Sequence, residues 1–445
     1  MPAEVPHPGM AASQGQGAPN PESQTVLDTM ETACCVVGAG PAGAMLALLL
    51  ARVGIGVVLL EEHTDFDRDF RGDTIHPSVM QDLREIGLDR RVLALPHTEL
   101  HTLTVEAADG PLTLADFGLL KTPYPFITFM PQRAFLESIT AEAARHPSFR
   151  LIMGARVEAL VTEGDTVRGV RYRGPDSWHE VRALVTVGCD GRFSRLRRLG
   201  GFTPVTTSPP MDVLWFRVPR RTDDPPDVLG RIRNGRFVIL LNRDSQWQVA
   251  TVIPKGSYQQ LRAAGIEALR AMVTDAVPEM TDRVDALTDW RQVSLLSVAS
   301  DRLSRWYKPG LLLVGDAAHT MSPVGGVGIN YAIQDAVVAA NALYRPLRAG
   351  RVDVSDLAAV QRERELPTRI IQAAQAQAQR QVVQRVFRTT GALSVPRWVR
   401  LLMSLPGIRM FGPYLIGIGI RPAHVAPDLR TAQRTDGGAV TSRSA

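Results

Sequence analysis

Three glycines spaced Gly38-x-Gly40-x-x-Gly43 stand between the apolar runs "TACCVV" (residues 32–37) and "AMLALLLARVG" (residues 44–54). The spacing suits a pyrophosphate. The first glycine permits a tight turn, the second lets backbone N–H groups approach the phosphates at a helix N-terminus, and the third lets helix and strand pack closely. Pro41 and Ala42 complete the turn. Glu61, followed by Glu62, ends the next apolar run, about where an acid bonds a ribose hydroxyl. An acid there favours an unphosphorylated ribose, hence FAD or NAD and not NADP at this site. The motif alone does not choose between them, and a glycine turn of an unrelated α/β protein is the competing reading.

Two histidines are candidates for acid–base work: His76 in "GDTIHP" and His319 in "VGDAAHTMSPVGGVGINYAIQDA" (residues 314–336). A general base must reach the substrate, so His319, inside a glycine-rich loop, reads better as a structural hydrogen-bonding group. His76 is ambiguous, and no catalytic residue is assigned. Cys34, Cys35 and Cys189 cannot make a disulfide framework, which points to a reducing compartment. No His/Cys/Asp cluster has metal-ligand spacing and there is no nucleophile elbow, so no metal is expected.

The elements that must position these residues follow from hydrophobic patterning. Strand, glycine turn, buried helix and second strand make a βαβ unit of about 30 residues, the nucleotide-binding half of a doubly wound fold. Between Thr203 and Ser300 the pattern alternates in "DVLWFRV", "RFVILL", "WQVATVI" and "QVSLLSV", which predicts an antiparallel sheet with one covering helix. The expected fold is α/β: a Rossmann-like nucleotide-binding domain with an inserted antiparallel-sheet substrate domain and a C-terminal helical region. Expected boundaries are a disordered tail at 1–30, the first domain at 31–202 and 301–350, the insert at 203–300, the helical region at 351–428 and a second tail at 429–445. The Gln- and Arg-rich stretch "RIIQAAQAQAQRQVVQRVF" predicts a surface helix with an exposed polar face. The apolar stretch "PRWVRLLMSLPGIRMFGPYLIGIGI" is broken by Pro406 and Pro413, so a cover or interfacial contact is expected and not a membrane span.

Bulk composition excludes other classes. Of 445 residues, 45% are hydrophobic and 21% charged, ordinary for a globular protein. The net charge is +5, but the basic residues are scattered, without aromatic interleaving, so nucleic acid is not an expected partner. The N-terminus has no basic segment followed by an apolar one; the expectation is a cytoplasmic protein, monomer or homodimer.

With "VGAGPAG", "RDFRGD", "CDG" and the segment 314–336 in that order, residues 32–347 resemble the FAD-dependent aromatic-hydroxylase family, single-component flavoprotein monooxygenases typified by p-hydroxybenzoate hydroxylase. The resemblance implies FAD as cofactor and NAD(P)H as electron donor. It places Gly315 and Asp316 near the ribityl and pyrophosphate groups, and Pro323, Gly325, Gly326, Val327, Gly328, Ile329 and Asn330 beside the isoalloxazine. It also implies that Asp190, Arg71 and Gln132 contact cofactor. Physics supports the loop assignment: glycines let backbone N–H groups reach a flat ring, and a helix N-terminus stabilises the charge of reduced flavin. Val327 departs from the polar residue of many relatives and predicts a less polar flavin face. For Asp190 the competing reading is a turn aspartate bonded to its own loop; for Arg71 it is a solvated partner in a charge run.

The activity implied is hydroxylation or epoxidation of a small hydrophobic substrate, aromatic or polyketide-like, in secondary metabolism, with O₂ as oxidant. Trp215, Phe237 and Trp247 are candidate pocket walls. The rivals are a cyclase with a structural flavin and no net redox change, a reductase needing no O₂, and a redox-inactive flavin-binding scaffold.

Overall fold

The computed structural model describes residues 25–67, 74–207, 209–224, 229–243, 245–387, 390–392 and 394–431. Strand Val26–Val37 is the spine of the first sheet, paired in parallel with Trp178–Gly188 on one side and Val57–Leu60 on the other. Phe149–Ile152 extends the sheet beyond Val57–Leu60, and Leu311–Leu313 extends it beyond Trp178–Gly188, both in parallel. Parallel strands covered on both faces read as unbroken apolar runs, and all four residues of Val57–Leu60 are buried. Helix Pro41–Ala51 packs between this sheet and helices Gln132–Ala143 and Gly328–Arg348; it is apolar all round and buried from Ala42 to Ala51.

The first strand begins earlier than expected. Residues 26–30, assigned to a tail, continue the spine, with Asp28 opposite His179 and Met30 opposite Val181; the ladder to a long neighbouring strand satisfies their backbone groups despite their polar composition. Most of each expected tail, 1–24 and 432–445, lies outside the described residues.

The second sheet has seven strands, in the order Ser294–Leu296, Met211–Pro219, Gln246–Pro254, Arg236–Arg243, Leu229–Arg233, Thr102–Ala107 and Gly110–Asp116. The last two come from the stretch 31–202 expected in the first domain; Thr102–Ala107 joins in parallel beside Leu229–Arg233, so the sheet crosses that boundary. The period of two sorts its faces. Leu214, Phe216, Val218, Trp247 and Val249 lie under helix Ile266–Ala276. Met211, Val213, Trp215, Phe237, Ala250 and Val252 face the opposite way, with Val324 of the glycine loop among their neighbours.

Helix Val354–Val386 corrects the surface-helix expectation. Gln361, Arg364, Thr368, Gln372, Gln375 and Gln379 recur every three or four residues and are all buried. Its glutamines bond backbone of the neighbouring strands and loops: the Gln372 amide donates to Asp301 O and Thr320 O, and Gln361 donates to Ser304 O while accepting from Trp306 N–H. A buried polar stripe is stable when its members are bonded in this way, and periodicity alone does not tell it from a solvated one.

Candidate functional site

The glycine turn is a backbone-to-backbone fit. Gly38 has φ +95°, and a Cβ there would lie 2.6 Å from Cys189 O; a Cβ on Gly43 would lie 1.9 Å from Gly38 O. Gly40 differs, since nothing lies within 4 Å of where its Cβ would point. That open space at the N-terminus of Pro41–Ala51 is what a pyrophosphate approaching first-turn N–H groups requires. Pro41 and Ala42 open this helix.

Glu61 is buried at the end of Val57–Leu60. One carboxylate oxygen accepts the Ala39 N–H at 2.8 Å; the other accepts the His63 N–H at 3.1 Å and lies 2.8 Å from His63 Nδ1. Glu61 thus braces the turn, and a carboxylate's further lone pairs can still accept a ribose hydroxyl. Glu62 turns away into a surface ion-pair group with Arg156 and Arg195.

Gly315 closes the groove from the other side. A Cβ there would stand 3.5 Å from Ala42 Cβ, which brings the two glycine motifs, distant in sequence, face to face beside Asp316. The Gly315 N–H donates to Asp335 Oδ2 at 3.0 Å; the same oxygen lies 2.6 Å from His319 Nε2, while Asp335 Oδ1 accepts Arg364 Nε at 2.8 Å. All three side chains are essentially inaccessible. Burial pushes the Asp335 carboxyl up, but His319 and Arg364 outweigh it and hold it below the usual carboxylate range. This is the structural role read for His319; Asp335 and Arg364 went unread because only the fold joins them.

At the far end Gly325 and Gly326 adopt φ +80° and +64° in succession, a turn that aims consecutive N–H groups to one side. Helix Gly328–Arg348 starts immediately after, with Gly328, Ile329 and Asn330 in its first turn. Pro323, Gly325, Gly326, Gly328 and Ile329 are half-buried. Asn330 is buried: its Oδ1 accepts the His76 N–H at 2.8 Å and its amide donates to Thr74 O and Gly326 O. Thr74 Oγ1 also donates to Gly326 O at 2.8 Å. Gln375 donates to Ser322 O and Val324 O and accepts the Ser322 N–H, and Gln379 donates to Ser322 Oγ. The loop is splinted from both sides by side chains. Val327 packs with Met321, Tyr331 and Ile371, so its side chain is core, contrary to the expectation of a less polar flavin face.

Asp190 follows its competing reading. Its carboxylate accepts from Ser194 Oγ at 2.6 Å and from the Arg195 and Leu196 N–H groups at 2.7 and 3.0 Å, capping its own turn. Burial raises its carboxyl although these bonds oppose the shift. Gln132, half-buried, opens helix Gln132–Ala143. Arg71 lies outside the described residues. His76 is wholly buried, with Nδ1 2.7 Å from Ile416 O, and burial pushes its imidazole down to about 4. So weakly basic and so enclosed a group does not suit a general base. Trp215 and Phe237 belong to the face near Val324, whereas Trp247 lies under Ile266–Ala276 and bonds Asp224 at 2.8 Å.

No metal-ligand spacing is visible in sequence, yet the fold gathers Asp82, Glu85 and His424 with potential ligand atoms within 4.8 Å of one another. Glu85 accepts the Val425 N–H at 2.7 Å and lies 2.9 Å from His424 Nδ1 and 3.3 Å from Arg430, the bonding of a clasp for the C-terminal segment. Among the described residues no single helix is long and apolar enough to cross a membrane.

The parts are an open turn at a helix N-terminus, a second glycine motif facing it, and a braced N–H-rich loop beside an apolar sheet face, a set that fits FAD. The family model for an FAD binding domain matches residues 31–374. The 6-methylpretetramide 4-monooxygenase of Streptomyces rimosus is 34% identical over 407 residues, covering 88% of this chain and 93% of the relative. The solved structure of the OxyS anhydrotetracycline hydroxylase from Streptomyces rimosus superposes with a TM-score of 0.69 at 25% identity, covering 87% of this chain and 76% of that one. PqsL of Pseudomonas aeruginosa, described as a probable FAD-dependent monooxygenase, shares the fold with a TM-score of 0.68 at 24% identity, covering 81% of this chain and all of that one.

Proposed function

This chain belongs to the FAD-binding-domain family of FAD-dependent monooxygenases, and we propose that it uses NAD(P)H and O₂ to hydroxylate a fused-ring aromatic, polyketide-type substrate held against the second sheet. The supporting observation is the apolar face of Met211, Val213, Trp215, Phe237, Ala250 and Val252, which gathers with Val324 of the glycine loop in one cluster. When bound, the flavin supplies the passage of electrons from NAD(P)H to O₂ and the delivery of one oxygen atom. The chain binds, orients and excludes water.

In this reading Gly38, Gly40, Pro41, Ala42 and Gly43 receive the pyrophosphate. Glu61 receives the ribose, and Gly315 and Asp316 flank the ribityl chain. The backbone of Pro323, Gly325, Gly326, Val327, Gly328, Ile329 and Asn330 faces the ring, where the N-terminus of Gly328–Arg348 stabilises negative charge. Arg71 and Gln132 remain cofactor candidates by family resemblance. Glu62, held in its surface ion pairs, and Asp190, consumed by its own turn, act at one remove by shaping the loops beside the groove.

The similarity to the S. rimosus enzyme carries the choice of 6-methylpretetramide as first test substrate. The FAD-loaded protein should consume NAD(P)H faster in its presence and place one atom from labelled O₂ in the product. Turnover of a polyene under anaerobic conditions, without reductant, would instead establish the cyclase alternative.

A further inference from the structure

The C-terminal segment carries a face that neither the fold nor the cofactor groove uses. Helices Arg397–Ser404 and Pro406–Pro413 turn Trp398, Leu401, Leu405, Ile408, Phe411 and Tyr414 outward; Trp398 and Leu401 are each 68% exposed and Phe411 66%. Isolated exposed apolar residues are ordinary, but a contiguous apolar face marks an interaction site. The chain bends by 79° between Arg397–Ser404 and Pro406–Ile418, so the pair suits lying along a surface better than crossing one.

Charge identifies the surface. From Arg397 to Tyr414 the chain contains three arginines and no aspartate or glutamate. Two of these anchor the plate to the edge strand Gly110–Asp116: Arg400 donates to Gly110 O at 2.8 Å and Pro111 O at 3.1 Å, and Arg409 pairs with Asp116 at 2.7 Å. Asp116 is thereby matched, and Asp109 accepts from Ser394 at 3.4 Å. Arg397 stays exposed beside Trp398. Exposed Trp, Leu and Phe with an unbalanced positive charge are the composition of an element that beds into the headgroup layer of an anionic bilayer.

The same segment reaches the cofactor groove. Beyond the plate, the turn Tyr414–Ile418 supplies the carbonyl that His76 bonds, and Ile416 Cγ1 is 3.8 Å from where a Cβ on Gly325 would stand. Met410, Ile416 and Ile418 pack on Phe117, Ile127 and Phe129, beside the second sheet. We propose that residues 397–414 form an in-plane docking surface for anionic phospholipid bilayers, set beside the groove so that an apolar substrate is taken from lipid. The purpose rests on the proposed oxygenation; the docking itself does not.

The test is co-flotation of the full-length, FAD-loaded protein with vesicles of phosphatidylcholine containing about 30% phosphatidylglycerol. Wild type should float with these and much less with phosphatidylcholine alone. The combined variant Trp398→Ser, Leu401→Ser, Phe411→Ser should lose roughly tenfold or more in partitioning while keeping its FAD and melting temperature, because these side chains project from the fold. Arg397→Gln should lose about fivefold on the anionic vesicles only. Failure of wild type to float, or equal flotation of the triple variant, would overturn the proposal. A vesicle-free dimer in sedimentation equilibrium that the triple variant dissolves would also overturn it, by giving the face to a second copy. Flotation needs no turnover, so an inactive wild type that floats would count against the oxygenation alone.

Discussion

The two ends of the cofactor groove are held by different physics. At the pyrophosphate end the parts are backbone: Gly43 admits Gly38 O only because it has no Cβ, and Gly38 rests on Cys189 O. At the ring end the loop is suspended by side chains: Thr74 from a remote strand and Asn330 from the helix that follows on one side, Gln375 and Gln379 on the other. Backbone jamming tolerates nearly no substitution and leaves little freedom to move. Side-chain suspension can be tuned one bond at a time, which suits the end that must accommodate a substrate and a change of ring charge.

The largest effect is expected where the two ends meet. Asp335→Asn leaves the buried Arg364 without its counter-charge and loosens Gly315, which faces Ala42. A cost of about 3–5 kcal/mol is expected, measured as a fall in urea midpoint together with loss of FAD, and a variant of wild-type stability would remove Asp335 from its linking role. Gly43→Ala comes next, since its methyl would overlap Gly38 O; about 3 kcal/mol and loss of flavin absorbance are expected, and a yellow, stable protein would disprove the backbone jam.

A pH profile probes the suspended end. Folded His76 is pushed down to about 4 by burial, whereas unfolded it titrates near 6.5. The folded value is the lower one, so its contribution is complete above about pH 6.5 and lost as pH falls towards about 4. The expected loss is on the order of 3 kcal/mol across that window, read as a sloping denaturation midpoint that His76→Gln should flatten. The smallest change in stability belongs to Gly40→Ala, whose methyl enters open space. The melting temperature of the FAD-free protein should shift little, within about 0.5 kcal/mol, while FAD affinity falls about tenfold; unchanged affinity would move the pyrophosphate elsewhere.

The legible parts of the molecule are those whose constraint is local. Gly38, Gly40 and Gly43, the buried runs on either side and Glu61 lie within about 30 residues, so spacing and residue type together define a nucleotide turn. The alternation at 211–219 and 246–254 likewise sorts the second sheet into two faces, although neither face of such a strand announces which is core and which faces a pocket. Val327 and Trp247 show the cost of that ambiguity: each was read towards a ligand and each is packed into core. Asp190 fills its own turn, a local bond that turn chemistry allowed for.

What tertiary structure alone decided are the long-range pairings. The glutamines from 361 to 379 carry the composition of a solvated helix, yet Gln375 and Gln379 bond the cofactor loop at Ser322 and Val324, outside any strand. Asp335 meets Arg364 29 residues on, and His76 meets Asn330 254 residues on. A polar side chain carries no mark of which distant backbone group it will satisfy. The sequence determined that a flavin nucleotide has a place to lie; the assembled helices and loops determined what holds its ring, because those bonds exist only once the chain is folded.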